Sequence, residues 1–235
     1  MIKISERLAT IARRVLPGGT MADIGTDHAY LPVYLVEQNK CPRAIASDIH
    51  EGPYLTAREL VHLYRMEDRI SVRCGDGLRV LVPGEADTLV IAGIGGSTII
   101  KILEASPDVA TSAKRLVLQP MEDIFRLRAW LVTQGWRLVD EDLVMEGDRY
   151  YVILVAEPGR SPSLGEMELE VGPVLMAGRH PLLYGYLDRL VKELKRVIRE
   201  LTKSSREESR EKKEALQGKV KELEKVMAWL SSASE

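Results

Sequence analysis

Cysteine is scarce in this 235-residue chain: Cys41 and Cys74 stand far apart and form no Cys-x-x-Cys pair. A disulfide framework and a zinc knuckle are therefore not expected. Long apolar runs are also missing. The longest stretch without a charge, Thr88–Ile100, is broken by three glycines and is too short to span a bilayer. The opening residues Met1-Ile2-Lys3-Ile4-Ser5-Glu6-Arg7 hold no apolar h-region, so no secretory signal is expected. Nor is there an excess of positive charge: the formal net charge is −2. A nucleic-acid partner then has to be met by a local basic patch. These absences lead to the expectation of a cytoplasmic protein with no membrane anchor and no bound metal.

Hydrophobic residues make up 45% of the chain and charged residues 29%, enough apolar material for a real core. The length suits one α/β domain plus something smaller. Charge is uneven: residues 181–235 carry 13 Lys and Arg against 10 Asp and Glu, leaving 20 against 25 for the first 180. The tail is the part that tolerates anionic partners.

Strand-like and helix-like stretches alternate. Residues 3–15 read as an amphipathic helix with Ile4, Leu8, Ile11 and Val15 on one stripe. Lys3, Arg7 and Arg14 flank that stripe. They fit a solvated rim, or a phosphate-contacting patch beside an active site. Strands follow at Thr20–Ile24, Ala44–Ser47, Ile70–Arg73, Asp87–Ala92 and Arg115–Leu118, with helices at Tyr30–Gln38, Glu51–Arg65, Ser97–Leu103 and Phe125–Gln134. This spacing implies parallel βαβ units. Then Arg137–Met145 and Tyr150–Ala156 flank Gly147-Asp148, the signature of an antiparallel hairpin. A parallel sheet closed by such a hairpin predicts a class I methyltransferase, Rossmann-like fold, by fold-level analogy.

A domain is expected over 1–160, and a connector with a helical domain over 161–235. In the latter, Leu187, Leu190, Leu194, Val197 and Leu201 form one heptad seam, and Leu216, Val220, Leu223, Met227 and Leu230 another. The reading is an antiparallel coiled-coil hairpin with the polar segment Thr202–Glu214 at its tip.

The turn after the first strand, Asp23-Ile24-Gly25-Thr26-Asp27-His28-Ala29-Tyr30, lacks the glycines of a dinucleotide fingerprint at Asp27 and Ala29. Asp tolerates a left-handed backbone, and Ala is small enough for close helix packing. Asp27 would repel a phosphate at a helix N-terminus, whereas a cationic sulfonium cofactor suits it. Candidate cofactor-binding residues are Asp23, Gly25, Thr26, Asp48, Ile49, Gly75, Asp76, Gly77, Ala92, Gly93, Ile94 and Gly95, all near the carboxyl ends of strands. Asp48, 23 residues past Gly25, is placed for ribose hydroxyls. Singly, each of these acids and glycines also fits a cap or turn. After the fourth strand there is no Asn/Asp-Pro-Pro-Tyr motif, which counts against methylation of exocyclic amines.

The strings Ala22-Asp-Ile-Gly-Thr-Asp-His-Ala-Tyr-Leu-Pro32, Ser47-Asp-Ile-His-Glu-Gly-Pro53, Gly75-Asp-Gly-Leu78, Ile91-Ala-Gly-Ile-Gly-Gly96 and Leu118-Gln-Pro120 resemble the bacterial TrmK family along the whole chain. Ile94 stands where that family often carries Met. The resemblance implies methylation of N1 of adenine 22 in tRNA by S-adenosylmethionine. N1 of a neutral adenine needs no deprotonation to act as a nucleophile, so proximity and orientation dominate. Asp27, His28 and Tyr30 are the candidate catalytic residues: an acceptor for the adenine amino group, a base or phosphate contact, and a stacking ring. A backbone-bonded loop histidine and a helix-core tyrosine are the competing roles for the last two. Lys192, Lys195, Arg196 and Arg199 are the candidate tail contacts to tRNA, beside Lys3, Arg7 and Arg14. A monomer is expected. A methyltransferase acting on a small molecule or a protein remains an alternative, as does a non-catalytic scaffold.

Overall fold

The structure, a computed structural model, describes residues 2–203 and 207–232. The chain divides into two compact units, Met1–Leu164 and Gly165–Glu235.

The first unit opens with α1 (Glu6–Arg14), capped by the Ser5 side chain, which accepts from the Leu8 N–H. The helix is thus shorter than its apolar stripe suggests. Lys3 precedes the cap, so Lys3, Arg7 and Arg14 do not share a helical face. Ile11 and Val15 are buried, with Ile4 and Leu8 packed against the same core. Lys40 Nζ donates to the carbonyls of Ala12 (2.7 Å) and Arg13 (2.8 Å), satisfying the helix's free C-terminal acceptors.

The chain continues through β1 (Met21–Ile24), α2 (Tyr30–Glu37), β2 (Ala44–Asp48), α3 (Glu51–Leu63), β3 (Ile70–Cys74) and a 3-10 turn at Gly77–Val80. Then come β4 (Thr88–Ile94), α4 (Gly96–Glu104), α5 (Pro107–Ser112), β5 (Arg115–Pro120), α6 (Ile124–Thr133), β6 (Trp136–Glu146) and β7 (Arg149–Pro158). They build one seven-stranded sheet in the order β3-β2-β1-β4-β5-β7-β6. Strands β1 to β5 are parallel, and β7 enters antiparallel between β5 and β6. The order reverses between β1 and β4, the switch point at which open α/β sheets bind ligands. This is the class I methyltransferase, Rossmann-like sheet.

β4 and β5 each run two residues further than their apolar letters. β5 continues through Gln119 and Pro120, because β4 pairs alongside it to Ile94. A register shift between Ala92 and Ile94 is absorbed by Gly93 at φ 80°. This irregularity lifts the β4 backbone out of regular pairing at the switch point. α5 carries no helical stripe long enough to be read from the letters.

The second unit contains α7 (Glu166–Val171), α8 (Pro173–Ala177), α9 (Leu183–Leu201) and α10 (Glu207–Ser231). The two long helices pack against one another, with Leu187, Val191, Val220 and Leu223 buried. Lys195 Nζ bonds Glu224 Oε1 across them at 2.7 Å. The polar stretch Thr202–Glu214 is not all tip: from Glu207 onward it is helical. Glu207 and Glu208 in the first turn complement the helix dipole, which a search for apolar seams does not register. Ser204, Ser205 and Arg206, also placed in that tip, lie outside the described residues. Among the described residues no helix is long and apolar enough to cross a membrane.

Candidate functional site

The carboxyl ends of β3, β2, β1 and β4 stand side by side. They bring together Gly75-Asp76-Gly77, Asp48-Ile49, Asp23 with Gly25-Thr26, and Ala92-Gly93-Ile94-Gly95. The first loop is tied to its neighbour strand: Gly25 N–H and Thr26 N–H both donate to the Ser47 carbonyl, at 2.8 and 2.9 Å. Gly25, Asp27 and Ala29 all have positive φ, at 77°, 52° and 57°. The two residues standing where a fingerprint has glycine thus adopt glycine-like backbone, with Asp the more tolerant type.

Asp23 is 7% exposed. Thr26 Oγ1 donates to its Oδ2 at 2.7 Å. Burial pushes its carboxyl up to about 6, opposed by the Thr26 hydroxyl and by the Arg7 guanidinium. Asp48, also buried, accepts on Oδ1 from the His50 N–H at 2.9 Å. The neighbouring strand is held by Gly75 N–H donating to the Asp48 carbonyl, 2.9 Å. Asp76 is more exposed and pairs with Arg79 at 2.8 Å. Gly75 is packed so closely that a Cβ would lie 2.5 Å from Val80 Cγ1.

Asp27, His28 and Tyr30 lie together on the rim. His28 Nε2 is 3.3 Å from Asp27 Oδ2, and the His28 and Tyr30 rings are 5.3 Å apart. Tyr30 is 41% exposed, so it is not a core residue of α2.

Of the candidate cations Lys3, Arg7 and Arg14, only Arg7 reaches this end of the sheet. Its Nη1 donates to Gln119 Oε1 at 2.7 Å, its guanidinium lies 5.4 Å over the Tyr151 ring, and its backbone N–H donates to Glu146. Arg14 is engaged by Asp140 (3.0 Å) and Asp142 (2.6 Å), and Lys3 is exposed on the segment before α1. In the second unit Lys192 pairs with Asp188, Lys195 with Glu224 and Arg196 with Glu193. Arg199 has no carboxylate in ion-pair reach among the described residues.

Sequence reasoning assigns no site role to Gln119 or Ser47. Gln119 is fully buried and bonded on both ends of its amide: Oε1 accepts from Arg7, and Nε2 donates to the Pro120 carbonyl at 3.0 Å. A polar residue closing an apolar strand is its signal. Ser47 Oγ is buried without a hydrogen-bond partner among the described residues; a serine inside an apolar strand offers no such signal.

This donor set fits S-adenosylmethionine. Two buried acids on adjacent strands suit a cation and its ribose hydroxyls, Gly25 has nothing within 4 Å of where a Cβ would stand and leaves room for close backbone approach, and Ser47 holds an unused hydroxyl. Among the described residues no cluster of His, Cys, Asp and Glu is placed to hold a metal.

Known proteins point the same way. The family model described as TrmK, tRNA (adenine(22)-N(1))-methyltransferase, matches residues 21–225. The Bacillus subtilis tRNA (adenine(22)-N(1))-methyltransferase is 41% identical over 199 residues, 83% of this chain and 82% of that protein. The crystal structure of the B. subtilis M1A22 tRNA methyltransferase TrmK superposes with a TM-score of 0.88 at 35% identity, covering 97% of this chain and 100% of that one. A Streptococcus pneumoniae structure in complex with S-adenosyl-L-methionine gives a TM-score of 0.87 at 31% identity, covering 96% and 100%. The chain belongs to the TrmK family of tRNA (adenine(22)-N(1))-methyltransferases.

Proposed function

We propose that this chain methylates N1 of adenine 22 in tRNA by holding an unstacked adenine in line with the methyl donor at the carboxyl ends of β1 and β4. When bound, S-adenosylmethionine supplies an electrophilic methyl group carried on a sulfonium. Asp23 and Thr26 would face its cationic end, and Asp48 its ribose, with Ile49, Gly75-Asp76-Gly77 and Ala92–Gly95 as the walls. Methylation moves positive charge onto the base. Asp27 would accept from the adenine amino group and favour that charge, while His28 and Tyr30 position the ring. No general base is required, because the N1 lone pair is already free. The observation that carries this reading is the acid-lined first loop with Asp27 and Ala29 in left-handed backbone, a loop built for a cationic donor.

Residues up to Leu164 would form the catalytic part, and the helices after Gly165 a tRNA grip through Lys192, Lys195, Arg196 and Arg199. Three of these already have carboxylate partners, so Arg199 is the first of the four to vary. Arg7 contributes at the site; Arg14, held by two aspartates, serves the fold, and Lys3 remains accessible for phosphate. We place the enzyme in the cytoplasm as a monomer. The test is labelled S-adenosylmethionine with bulk unmodified tRNA, followed by nucleoside mapping. Label in 1-methyladenosine supports the reading; label in N6-methyladenosine, or none in RNA, overturns it.

A further inference from the structure

The first unit leaves an apolar rim exposed at one end of its sheet. Among its described residues the exposed large apolar side chains are Tyr30, Ile49, Leu55, Leu63, Val82, Met121, Phe125 and Met145. Leu55 and Leu63 lie on α3, and Val82 lies on the segment leading into β4. The others belong to the carboxyl end of the parallel strands. Met145 joins them because β6, antiparallel to β7, runs in the direction of β5.

The hairpin of β6 and β7 projects past that end. Leu118 of β5 faces Leu154, which faces Glu141. From there β5 has only Gln119 and Pro120 left, whereas β6 runs on to Glu146. At about 3.3 Å per residue the hairpin overhangs by roughly 10 Å. Arg7 braces the overhang through Glu146 and Tyr151, and ties it to β5 through Gln119.

The loop from β5 to α6 is held equally firmly. Met121 N–H donates to the Ile94 carbonyl at 2.9 Å, and Gly96 N–H to the Glu122 carbonyl at 3.0 Å. Ser97 Oγ donates to Asp123 Oδ2 at 2.6 Å. Met121 on this fixed loop and Phe125 in the first turn of α6 are 43% and 39% exposed. Scattered exposed apolar residues need no explanation. Three of them on two braced projections at the same end of the sheet do.

Methylation at N1 requires the Watson–Crick edge of the adenine to leave its stack, and something must fill the gap. We infer that Met121, Phe125 and Met145 form an apolar wedge that stacks against the tRNA bases flanking the extruded adenine. The occupant is nucleic-acid base rather than protein, because the β5–α6 loop is bonded to the end of β4, where the methyl-transfer site lies, and the rim carries cations at its edge. Arg149, beside the hairpin turn, is exposed with no carboxylate in ion-pair reach among the described residues, and Arg126 hydrogen-bonds Ser97. The inference rests on the reading of adenine N1 as the acceptor.

The test compares the full-length chain with its M121A/F125A/M145A variant. One substrate is unmodified tRNA; the other carries 2-aminopurine at position 22, whose fluorescence rises when it unstacks. Base stacking supports a loss of roughly tenfold or more in kcat on tRNA for the triple variant. Its 2-aminopurine signal should stay low, with S-adenosylmethionine affinity unchanged. A leucine triple variant, M121L/F125L/M145L, retains apolar volume and should keep most of the activity, which separates wedging from misfolding. An alanine variant that transfers methyl and unstacks the probe as the parent does overturns the wedge alone. A parent protein that methylates no tRNA overturns the underlying reading, and the wedge with it.

Discussion

Asp23 is the acid of the site that burial shifts furthest from its ordinary titration. Its carboxyl titrates at about 6 against an ordinary 3.8. A raised folded value means that stability is complete below the ordinary value and declines as pH rises through about 6, by about 3 kcal/mol in all. In Asp23→Asn that decline should be absent from unfolding curves taken between pH 4 and 8. A cationic cofactor favours the ionised form, so affinity for S-adenosylmethionine should weaken about tenfold per pH unit below 6, and calorimetry on Asp23→Asn should give weak, flat binding. Asp27 makes the opposite case: it is exposed and holds φ 52°. Alanine there would add backbone strain, so Asp27→Asn is the cleaner substitution. It should lower methyl transfer by about tenfold or more, leaving cofactor affinity and thermal midpoint near those of the parent. Near-normal turnover would return Asp27 to a turn-forming role.

At the scale of elements, the alternation of strands and helices was legible because buried parallel strands are apolar runs closed by Gly or Asp. The hairpin was legible from Gly147-Asp148. What escaped depends on partners distant in sequence. β5 is longer than its apolar letters because β4 pairs beside Gln119 and Pro120. α1 is shorter because Ser5 caps it. The acids and glycines of the site could be read from their place after strands, but the Arg7–Gln119 bond spans 112 residues and no local pattern encodes it. Another long-range tie is the ion pair of Arg128 on α6 with Glu141 on β6, 2.7 Å apart with both side chains fully buried. Glu141→Ala removes the carboxylate that pairs with this buried guanidinium and should cost about 3–5 kcal/mol in denaturant unfolding. Gly96 marks a further one: a Cβ there would lie 2.8 Å from the carbonyl oxygens of Glu122 and Asp123. Gly96→Ala should push the β5–α6 loop outward and lower stability by about 1–3 kcal/mol, with a fall in turnover on tRNA.

For the whole molecule, residues Met1–Leu164 form a compact unit with a buried apolar cluster of their own. A chain ending there should fold and bind S-adenosylmethionine. If the helices after Gly165 grip tRNA, its binding to tRNA should weaken, and the slope of log affinity against log salt should shrink by about 0.7–0.9 for each phosphate that the shortened chain no longer neutralises. An unchanged slope would remove the gripping role. The central claim concerns the acceptor atom, and one measurement addresses it directly. Two tRNA transcripts differing only in adenine or guanine at position 22 are incubated with the full chain and labelled S-adenosylmethionine, and the modified nucleoside is mapped. The expected result is 1-methyladenosine at position 22 of the first transcript and no label in the second. Equal labelling of both, or label at any other atom or position, would contradict it.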